Sequence, residues 1–411
     1  MSRFICLIPL LTSVFLLTCS SERGKEKGAD PENLEEASLD SSEKAIRVAA
    51  ERMEAYLPKL KGKRIAVVAN PSSRVGDVHL VDTLLERGVE IERIMSPEHG
   101  FRGEAEAGEK VEGGTDPRTG LPVVSLYGSH RKPDAADMKG LDLILFDIQD
   151  VGARFYTYIS TLHYVMEAAA EHGKKVMLLD RPNPTGYYVD GPVLDTAFSS
   201  FIGMHPVPIV HGMTVGEYAR MIDGEGWLKG DLQCELEVIE CAHYEHDDRY
   251  ELPVDPSPNL AQMAAIYLYP SLALFEGTVV SVGRGTERPF TMIGHPEFQN
   301  GDHRFVPESI PGMSSDPKHE GDTCVGFDLK EVGRRRMKKK GGLCLSWLIR
   351  MHKALADKTE FFHADRFDRL AGTDSLRLKI QKGMNEEAIR KTWKKELGAF
   401  KKMRENYLLY P

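Results

Sequence analysis

Apolar residues occur in short blocks from residue 44 onward, and their spacing predicts alternating helices and strands. The stretch "KAIRVAAERMEAYLPKL" at 44–60 repeats its apolar residues at helical spacing, whereas "RIAVVAN" at 64–70 is a short apolar run rich in β-branched residues. The same alternation continues to about residue 228. We predict five further strands, at 89–95, 121–128, 142–148, 174–180 and 206–212, and helices at 77–88, 157–173 and 214–228.

Strands and helices that alternate at these lengths imply right-handed crossovers and a mostly parallel, helix-covered sheet. The texture changes after about residue 245, where "ELPVDPSPNL" is proline-rich and the remainder mixes helices with loops rich in Gly, Pro and His. We therefore predict an α/β protein with one domain at 45–245 and a second at 246–411. No GxGxxG motif follows the first strand, and "GRGTER" at 283–288 lacks the third glycine, so we expect no dinucleotide cofactor.

The first residues predict export. An apolar stretch from Phe4 to Leu17 follows Arg3 and is too short for a membrane-spanning helix, but it suits the core of a signal peptide. It ends in "LLTC", which resembles a bacterial lipoprotein cleavage site with Cys19 as the lipid-bearing residue. Residues 19–44 are charged and lack aromatic residues, which is typical of a flexible tether. We expect a signal peptide at 1–18, a lipid anchor at Cys19, and a periplasmic or cell-envelope location.

Charge narrows the range of partners. The chain has 411 residues and a net charge of −9, whereas a nucleic-acid binder needs clustered positive charge to contact phosphates. We therefore expect no nucleic-acid partner. The basic run "GRRRMKKKGG" at 333–342 is interpreted as a solvated helix end or loop.

Polar residues follow the predicted strands at the points where the strands end. In an open parallel sheet, ligands bind beyond the carboxyl ends of the strands. The sequence therefore predicts that loops distant along the chain converge on one site. In chain order, the candidates at this rim are Asn70, Glu98, His99, Arg102, Tyr127, Asp147, Gln149, Asp150, Asp180, Arg181, Asn183 and His211.

Several of these candidates have a structural alternative. Asp and Asn after a strand often cap the next helix, so Asp180 and Asn183 are equally well explained as caps. Asp147 lies inside an apolar run and fits a buried ion pair with Arg154 as well as it fits catalysis. Taken singly, His99 and His211 are equally well explained as loop residues whose ring nitrogens are hydrogen-bonded within the fold.

Glu98 is harder to explain structurally. The sequence "SPEHG" places it between Pro97, which stiffens the loop, and Gly100, which lets the backbone turn freely. We therefore interpret Glu98 as a functional carboxylate.

Metal chemistry finds little support in the sequence. "CAHYEHDD" at 241–248 offers sulfur, imidazole and carboxylate ligands, but their spacing matches no zinc pattern. We expect a polar loop there and no metal. What remains is a carboxylate-rich cleft bordered by tyrosines and arginines. Such a cleft suits sugar chemistry, in which one carboxylic acid protonates the leaving oxygen and a second group stabilises or attacks the anomeric carbon.

Nine motifs in a fixed order resemble one protein family. They are "MSPEHGFRGEAEAGEKV", "TGLPVVSLYG", "LILFDIQDVGARFYTYISTL", "LLDRPNPTG", "DGPVL", "PIVHGMTVGEYA", "DPSPNL", "YPSLALFEGT" and "SVGRGTERPF". The chain from about residue 45 to its C-terminus resembles the exo-β-N-acetylmuramidases of the NamZ type, and the match is dense up to about residue 295.

The resemblance implies a Rossmann-like sheet domain followed by a smaller α+β C-terminal domain, with the active cleft between them. It also implies a glycoside hydrolase of cell-wall turnover that releases N-acetylmuramic acid from the non-reducing end of peptide-free peptidoglycan fragments such as MurNAc-GlcNAc. On that basis Glu98 is the catalytic acid or base, and Asp150 and Asp147 are candidates for the second carboxylate. A substrate-assisted route through the acetamido group stays open.

N-acetylmuramic acid carries a lactyl ether with a carboxylate, for which a planar guanidinium is the best partner. The candidates for this contact are Arg154, Arg102 and Arg284. Further substrate-binding candidates, from both domains, are His99, Gln149, Tyr156, Tyr158, Asp180, Asn183, His211, Asn259 and Glu276.

Two other functions fit the same sequence. The chain could be a non-catalytic envelope lipoprotein that binds wall fragments, or a glycosidase for another amino sugar. Loss of turnover in a Glu98→Gln variant separates the first from an enzyme, and the arginine candidates separate the second from a muramidase.

Overall fold

The computed structural model of the protein describes residues 45–102 and 113–411. Its strands are β1 Arg64–Ala69, β2 Arg74–Val75, β3 Val78–His79, β4 Glu90–Ser96, β5 Gly114–Thr115, β6 Pro122–Ser125, β7 Leu143–Asp147, β8 Lys175–Leu179, β9 Asp190–Val193, β10 Pro208–Val210, β11 Leu236–Ile239, β12 Met292–His295, β13 His303–Phe305 and β14 Cys324–Asp328. Seven of them form the main sheet in the order β11-β8-β7-β1-β4-β6-β5, and only β5 runs antiparallel to its neighbour.

The main sheet is buried on both faces. Along β1, Ile65 and Val67 belong to one apolar cluster and Ala66 and Val68 to the other, all with no exposed surface. Alternate residues of a strand point to opposite faces, so this continuous apolar run places one core above the sheet and one below it. The α/β fold class predicted from the sequence is confirmed.

One predicted strand does not join this sheet. The segment "PVPIVHG" forms β10, which pairs antiparallel with β9 in a separate two-stranded ribbon. The edge beside β8 is taken instead by β11, which follows a helix and runs parallel to β8. That β–helix–β crossover satisfies the parallel edge, and the ribbon is left to pack elsewhere.

The helices cover the sheet and form most of the C-terminal part. They are α1 Met53–Leu60, α2 Leu80–Glu86, α3 Ala135–Met138, α4 Tyr158–Glu171, α5 Val215–Gly224, α6 Met263–Leu272, α7 Lys330–Val332, α8 Lys338–Lys340, α9 Ser346–Leu355, α10 Ala364–Ala371, α11 Ser375–Gln381 and α12 Glu386–Arg404. The helix predicted at 44–60 is shorter than expected. Arg47 and Ala242 exchange backbone hydrogen bonds in a β-bridge, which holds the first residues extended, and α1 begins only at Met53.

The smaller, C-terminal part contains a three-stranded antiparallel sheet in the order β12-β14-β13 together with α9 to α12. Helix α10 packs closely on a 3₁₀ helix, Ala273–Gly277, that follows α6. A Cβ atom on Gly277 would lie 2.5 Å from the Cα atom of Phe367 in α10, so only glycine allows this approach. The contact fixes α10 beside the segment that carries Glu276.

The cysteines of the described chain are buried and unpaired; they are Cys234, Cys241, Cys324 and Cys344. The predicted signal peptide, tether and lipid anchor at Cys19 lie outside the described residues. Among the described helices, none combines the length and the apolar character needed to cross a bilayer.

Candidate active site

A cavity of about 840 Å³ lies where the loops after the main strands meet the C-terminal part. Glu98, after β4, and Thr157, after β7, line one side of it, while Glu276 and Arg284 line another. The strands β4 and β7 are both parallel to β1, so their carboxyl ends lie at one edge of the sheet. Glu98 therefore lies, as predicted, where loops distant along the chain converge at this edge of the sheet.

The Glu98 carboxylate is held by hydroxyl groups and remains half-buried. Thr157 donates from Oγ1 to Glu98 Oε2 at 3.3 Å, and the Tyr127 hydroxyl also hydrogen-bonds this carboxylate. Burial and the adjacent carboxylate raise the pKa of Tyr127 above its ordinary value, so the phenol stays protonated and can donate. The turn that presents Glu98 has positive φ angles at His99 (72°) and Gly100 (76°). The Glu98 carboxylate is thus presented on a constrained turn.

Opposite charges meet on the second wall of the cavity. Arg284 Nε lies 3.0 Å from Glu276 Oε1, and Arg366 from α10 lies 3.2 Å from Glu276 Oε2. Burial alone would raise the pKa of Glu276, but Arg284 and Lys318 outweigh it and hold this pKa below its ordinary value. Glu276 is therefore an ionised carboxylate that positions two guanidinium groups, and it does not supply a proton.

Lys318 holds the segment that carries Glu276. Its ammonium donates to the carbonyl oxygens of Phe275, Glu276 and Thr278, which close the end of the 3₁₀ helix. Burial lowers the pKa of Lys318 to about 8. The backbone of this wall is thus fixed by a partly buried lysine.

A smaller recess of about 80 Å³ opens beside Glu98. The recess and the large cavity adjoin each other, because six residues line both: Glu98, Phe155, Thr157, Tyr269, Arg284 and Phe290. The predicted residues His99, Tyr156, Tyr158 and Asn259 also line it. The rings of Tyr156 and Tyr158 meet edge to face with centroids 4.8 Å apart, and each hydroxyl donates to the carbonyl of Pro256.

Asp147 does not reach either space. It is fully buried and forms two contacts with the guanidinium of Arg181, at 2.6 Å and 2.8 Å. The predicted partner, Arg154, was wrong. β7 and β8 are neighbours in the sheet, so Arg181, two residues after the end of β8, lies beside Asp147, the last residue of β7.

Arg154 is also away from the cavity surface. Its side chain has no exposed area and donates to the carbonyl oxygens of Pro192, Val207 and Leu370 at 2.7 to 3.1 Å. Burial lowers its pKa to about 9. A guanidinium enclosed by backbone carbonyls is inaccessible to a substrate carboxylate, so Arg154 is placed as a structural residue.

Arg102 is likewise occupied. It lies 2.7 Å from Asp116 and 3.3 Å from Asp82, and these carboxylates help to raise its pKa. It does not line the cavity. Of the three arginines proposed from the sequence, only Arg284 lies where a substrate can reach it.

Asp150 and His211 lie beneath the site as a buried pair. His211 Nε2 is 3.6 Å from Asp150 Oδ2, and the amide of Gly152 donates to the same carboxylate oxygen at 2.6 Å. Nδ1 of His211 accepts from the amide of Met213, which leaves the proton on Nε2, facing Asp150. Neither side chain lines the cavity or the recess, so any effect of Asp150 on a substrate acts through its neighbours.

The remaining candidates support loops. Asp180 is buried and accepts from Thr214, Gly216 and Tyr410, which ties β8 to the first turn of α5, while burial raises its pKa to about 7. Asn183 donates to the carbonyl of Met213. Both side chains are used in contacts within the fold, but neither is the N-cap of α5, which is Thr214.

Gln149 has the same kind of role. Its amide nitrogen donates to the carbonyls of Asp150 and Pro182, each at 2.8 Å, and joins the loops after β7 and β8.

Several residues that line the cavity were missed by the sequence reasoning. Arg131 lies over the ring of Phe201 at 4.4 Å, and both line the cavity. Arg366, Arg369 and Lys318 come from segments whose charges resemble ordinary solvated helix and loop residues. Tyr127, in contrast, was among the sequence candidates because it ends a predicted strand, and it does line the cavity.

One group of described residues has the composition of a metal site. Oxygen and nitrogen atoms of His130, Asp134 and Asp137 lie within 4.8 Å of one another. These carboxylates already form a capping box at the start of α3, and His130 Nε2 lies 2.7 Å from Asp137. The cluster is explained as a helix cap. In the "CAHYEHDD" segment, His246 instead contacts Glu217 at 2.9 Å.

Comparison with known proteins identifies the family. The model for the N-terminal part of the exo-β-N-acetylmuramidase NamZ matches residues 65–264, and the model for its C-terminal part matches residues 267–410. The peptidoglycan β-N-acetylmuramidase NamZ of Bacillus subtilis (strain 168) is 39% identical over 373 residues, which cover 86% of this chain and 89% of that protein.

Two solved structures share the fold. Both are DUF1343 family proteins from Bacteroides fragilis NCTC 9343, with TM-scores of 0.83 and 0.75 at 45% and 26% identity. Each comparison covers 89% of this chain and 99% of the solved chain. With both domain models matched in order over most of its length, the chain belongs to the exo-β-N-acetylmuramidase NamZ family.

Proposed function

We propose that the protein is an exo-acting glycoside hydrolase that releases N-acetylmuramic acid from the non-reducing end of peptide-free peptidoglycan fragments, with MurNAc-GlcNAc as the simplest substrate. The observation that carries this proposal is the half-buried Glu98 carboxylate, presented on a constrained turn at a cavity large enough for a saccharide. The relative from Bacillus subtilis is named for β-N-acetylmuramidase activity on peptidoglycan.

Glu98 is the acid or base of the reaction in this proposal. A carboxylic acid at this point can protonate the glycosidic oxygen as the bond to the anomeric carbon breaks. The hydroxyls of Thr157 and Tyr127 fix the carboxylate in position, because they restrict its rotation from two directions. Glu276, ionised and paired with arginines, cannot substitute as the proton donor.

In this proposal, muramic acid is recognised by the second wall of the cavity, which carries Glu276, Arg284 and Arg366. The lactyl carboxylate needs a cation, and Arg284 and Arg366 both line the cavity with Glu276 between them. Among described residues, Arg284 uses only its Nε atom in this ion pair. Its two terminal nitrogens are available to bind the two oxygens of a carboxylate.

The test is release of N-acetylmuramic acid from MurNAc-GlcNAc and from a chromogenic aryl β-muramide by the purified protein. Glu98→Gln should lower turnover by about 10² to 10⁴-fold and leave saccharide binding intact. Glu405→Gln, an exposed change just after α12, is the matched control and should behave as the wild type. Saccharide binding without turnover in the wild type would contradict the proposed hydrolase and support a binding protein.

We also propose that the protein acts outside the cytoplasm, anchored through Cys19. The support is the sequence alone: the apolar stretch Phe4–Leu17 followed by "LLTC" and a charged tether. Mass spectrometry of the mature N-terminal peptide should find a diacylglyceryl group on Cys19. A Cys19→Ala chain that remains in the membrane fraction would contradict the anchor.

A further inference from the structure

The recess beside Glu98 has a distinct chemical character from the larger cavity. Five of the twelve residues that line it are aromatic, namely Phe155, Tyr156, Tyr158, Tyr269 and Phe290, and six are polar or charged, namely Glu98, His99, Thr157, Ser257, Asn259 and Arg284. The hydroxyls of both recess tyrosines that follow β7 are occupied by the Pro256 carbonyl, so those two side chains offer ring surface to a ligand. A group of a few atoms that has both an apolar part and a hydrogen-bonding part therefore fits this space.

One polar atom in this wall lacks a partner. Asn259 is 3% exposed, and its Nδ2 atom donates to the carbonyl of Met313 at 2.9 Å. Its Oδ1 atom is buried and accepts no hydrogen bond from the described chain. The contact with Met313 fixes which end of the amide is nitrogen, so the open position is an acceptor and requires a donor from the ligand.

A carboxylate does not meet this requirement. It has no hydrogen to donate to Asn259 Oδ1, and in the recess it would lie near the Glu98 carboxylate. Arg284 lines both the recess and the larger cavity, so a carboxylate can meet this cation from the larger cavity instead. A lone hydroxyl has a donor but leaves most of the space unfilled, because 80 Å³ exceeds the roughly 30 Å³ share of one water molecule. An amide N–H joined to a carbonyl and a methyl group supplies both the donor and the apolar volume.

We propose that this recess is the subsite for the 2-acetamido group of the sugar whose glycosidic bond is cleaved, with its N–H donated to Asn259 Oδ1 and its methyl group against the aromatic wall. The proposal rests on the proposed function for the identity of the sugar. It assigns the two substituents of muramic acid to different places: the acetamido group to the recess and the lactyl carboxylate to the arginines of the larger cavity.

Binding measurements test the assignment without requiring turnover. By calorimetry, wild-type protein should bind N-acetylmuramic acid at least tenfold more tightly than the analogue with a hydroxyl in place of the acetamido group. Asn259→Leu should weaken binding of N-acetylmuramic acid by about tenfold and change the affinity for the hydroxyl analogue by less than twofold. The control Asn300→Leu, at an exposed position, should change neither affinity. Equal affinities of wild type for the two sugars would overturn the proposal.

A series of N-acyl sugars gives a second test that needs no variant. Affinity should fall stepwise from N-acetyl to N-propionyl to N-butyryl muramic acid, because the recess is small and its walls are buried aromatic side chains. An N-butyryl sugar that binds as tightly as the N-acetyl sugar would overturn the assignment even if Asn259→Leu fails to fold.

The outcomes separate this proposal from the proposed function. Acetyl-dependent binding with no release of N-acetylmuramic acid would retain the subsite and reject the hydrolase. Release of N-acetylmuramic acid with no dependence on the acyl group would retain the hydrolase and reject the subsite.

Discussion

Asp147 and Arg181 form a two-point ion pair that is closed to solvent, with nitrogen–oxygen distances of 2.6 Å and 2.8 Å. Arg181 also donates to the carbonyl of Arg74, so the pair joins the ends of β7 and β8 to the start of β2. Asp147, which the sequence suggested as a catalytic acid, thus takes part in a structural contact between neighbouring segments.

Removing one member of this pair should destabilise the fold. Asp147→Ala leaves a buried guanidinium without its counter-charge, and such changes cost about 3–5 kcal/mol. Denaturant unfolding should show this loss, whereas Asp142→Ala, an exposed change at the opposite end of β7, should change the unfolding midpoint much less. If the Asp147→Ala protein folds with normal stability but has lost turnover, Asp147 takes part in catalysis and the structural role is contradicted.

Arg154 should also behave as a structural residue. Arg154→Met leaves three buried carbonyl oxygens without their donor, and each unsatisfied group costs about 1–3 kcal/mol. The variant no longer has to bury a charged guanidinium, and this gain offsets part of the loss. We therefore expect a net destabilisation of about 2 kcal/mol, measured from the unfolding midpoint. Any protein that folds should keep its preference for muramic acid over N-acetylglucosamine. A selective loss of that preference would contradict the burial described for this side chain.

Arg284 should determine that preference. Arg284→Met removes a guanidinium from the cavity, and Glu276 keeps Arg366 as a partner, so the fold should survive. A hydrogen-bonded charge contributes about 1.5–3 kcal/mol; kcat/KM for a muramide relative to the matching N-acetylglucosaminide should therefore fall by roughly 10- to 100-fold. Arg304→Met, at an exposed position on β13, is the control. An unchanged ratio in Arg284→Met would remove this arginine from recognition of the lactyl group.

Stability should fall in mild acid because of a buried histidine. His205 contacts the Tyr218 hydroxyl and His163, both at 3.0 Å, and stacks on Trp227. Burial is the main cause that lowers the pKa of His205 well below 6.5, and the neighbouring His163 lowers it further. The folded protein therefore keeps His205 neutral below pH 6.5, while the unfolded chain takes up a proton there and is favoured as the pH falls.

The size of this effect is bounded by linkage. One such histidine changes the free energy of unfolding by up to about 1.4 kcal/mol per pH unit below pH 6.5. Unfolding curves between pH 7.5 and 5 should show a steeper loss of stability for the wild type than for His205→Gln. Equal slopes for the two proteins would mean that His205 takes up its proton over the same pH range in the folded and the unfolded chain.

The sheet was predictable because its strands are buried on both faces and therefore read as continuous apolar runs, as in "LILFD". The loop "SPEHG" was predictable as a site because a carboxylate between proline and glycine has no evident structural use. The pairing of Asp147 with Arg181 was not, since it depends on which strands are neighbours. The strand order, once known, explains it.

The second wall of the cavity could not be read from local sequence. Arg366 lies 90 residues from its partner Glu276 along the chain, on a helix whose charges are typical of a solvated surface. Asn259 appeared as a candidate only through the family resemblance. Its unpartnered oxygen became visible only when the contact with Met313 was known, because that contact uses the other end of the amide.

The three carbonyl contacts of Arg154 also bear on how the chain can be divided. Two come from the ribbon of β9 and the segment before β10, and the third from Leu370, more than 200 residues away at the end of α10. A truncated polypeptide that stops at the end of the sheet-containing half would lack the Leu370 carbonyl. The Arg154 guanidinium would then have an incomplete set of acceptors in a place that water does not enter. The halves are therefore expected to be insoluble when expressed apart and to recover solubility when co-expressed.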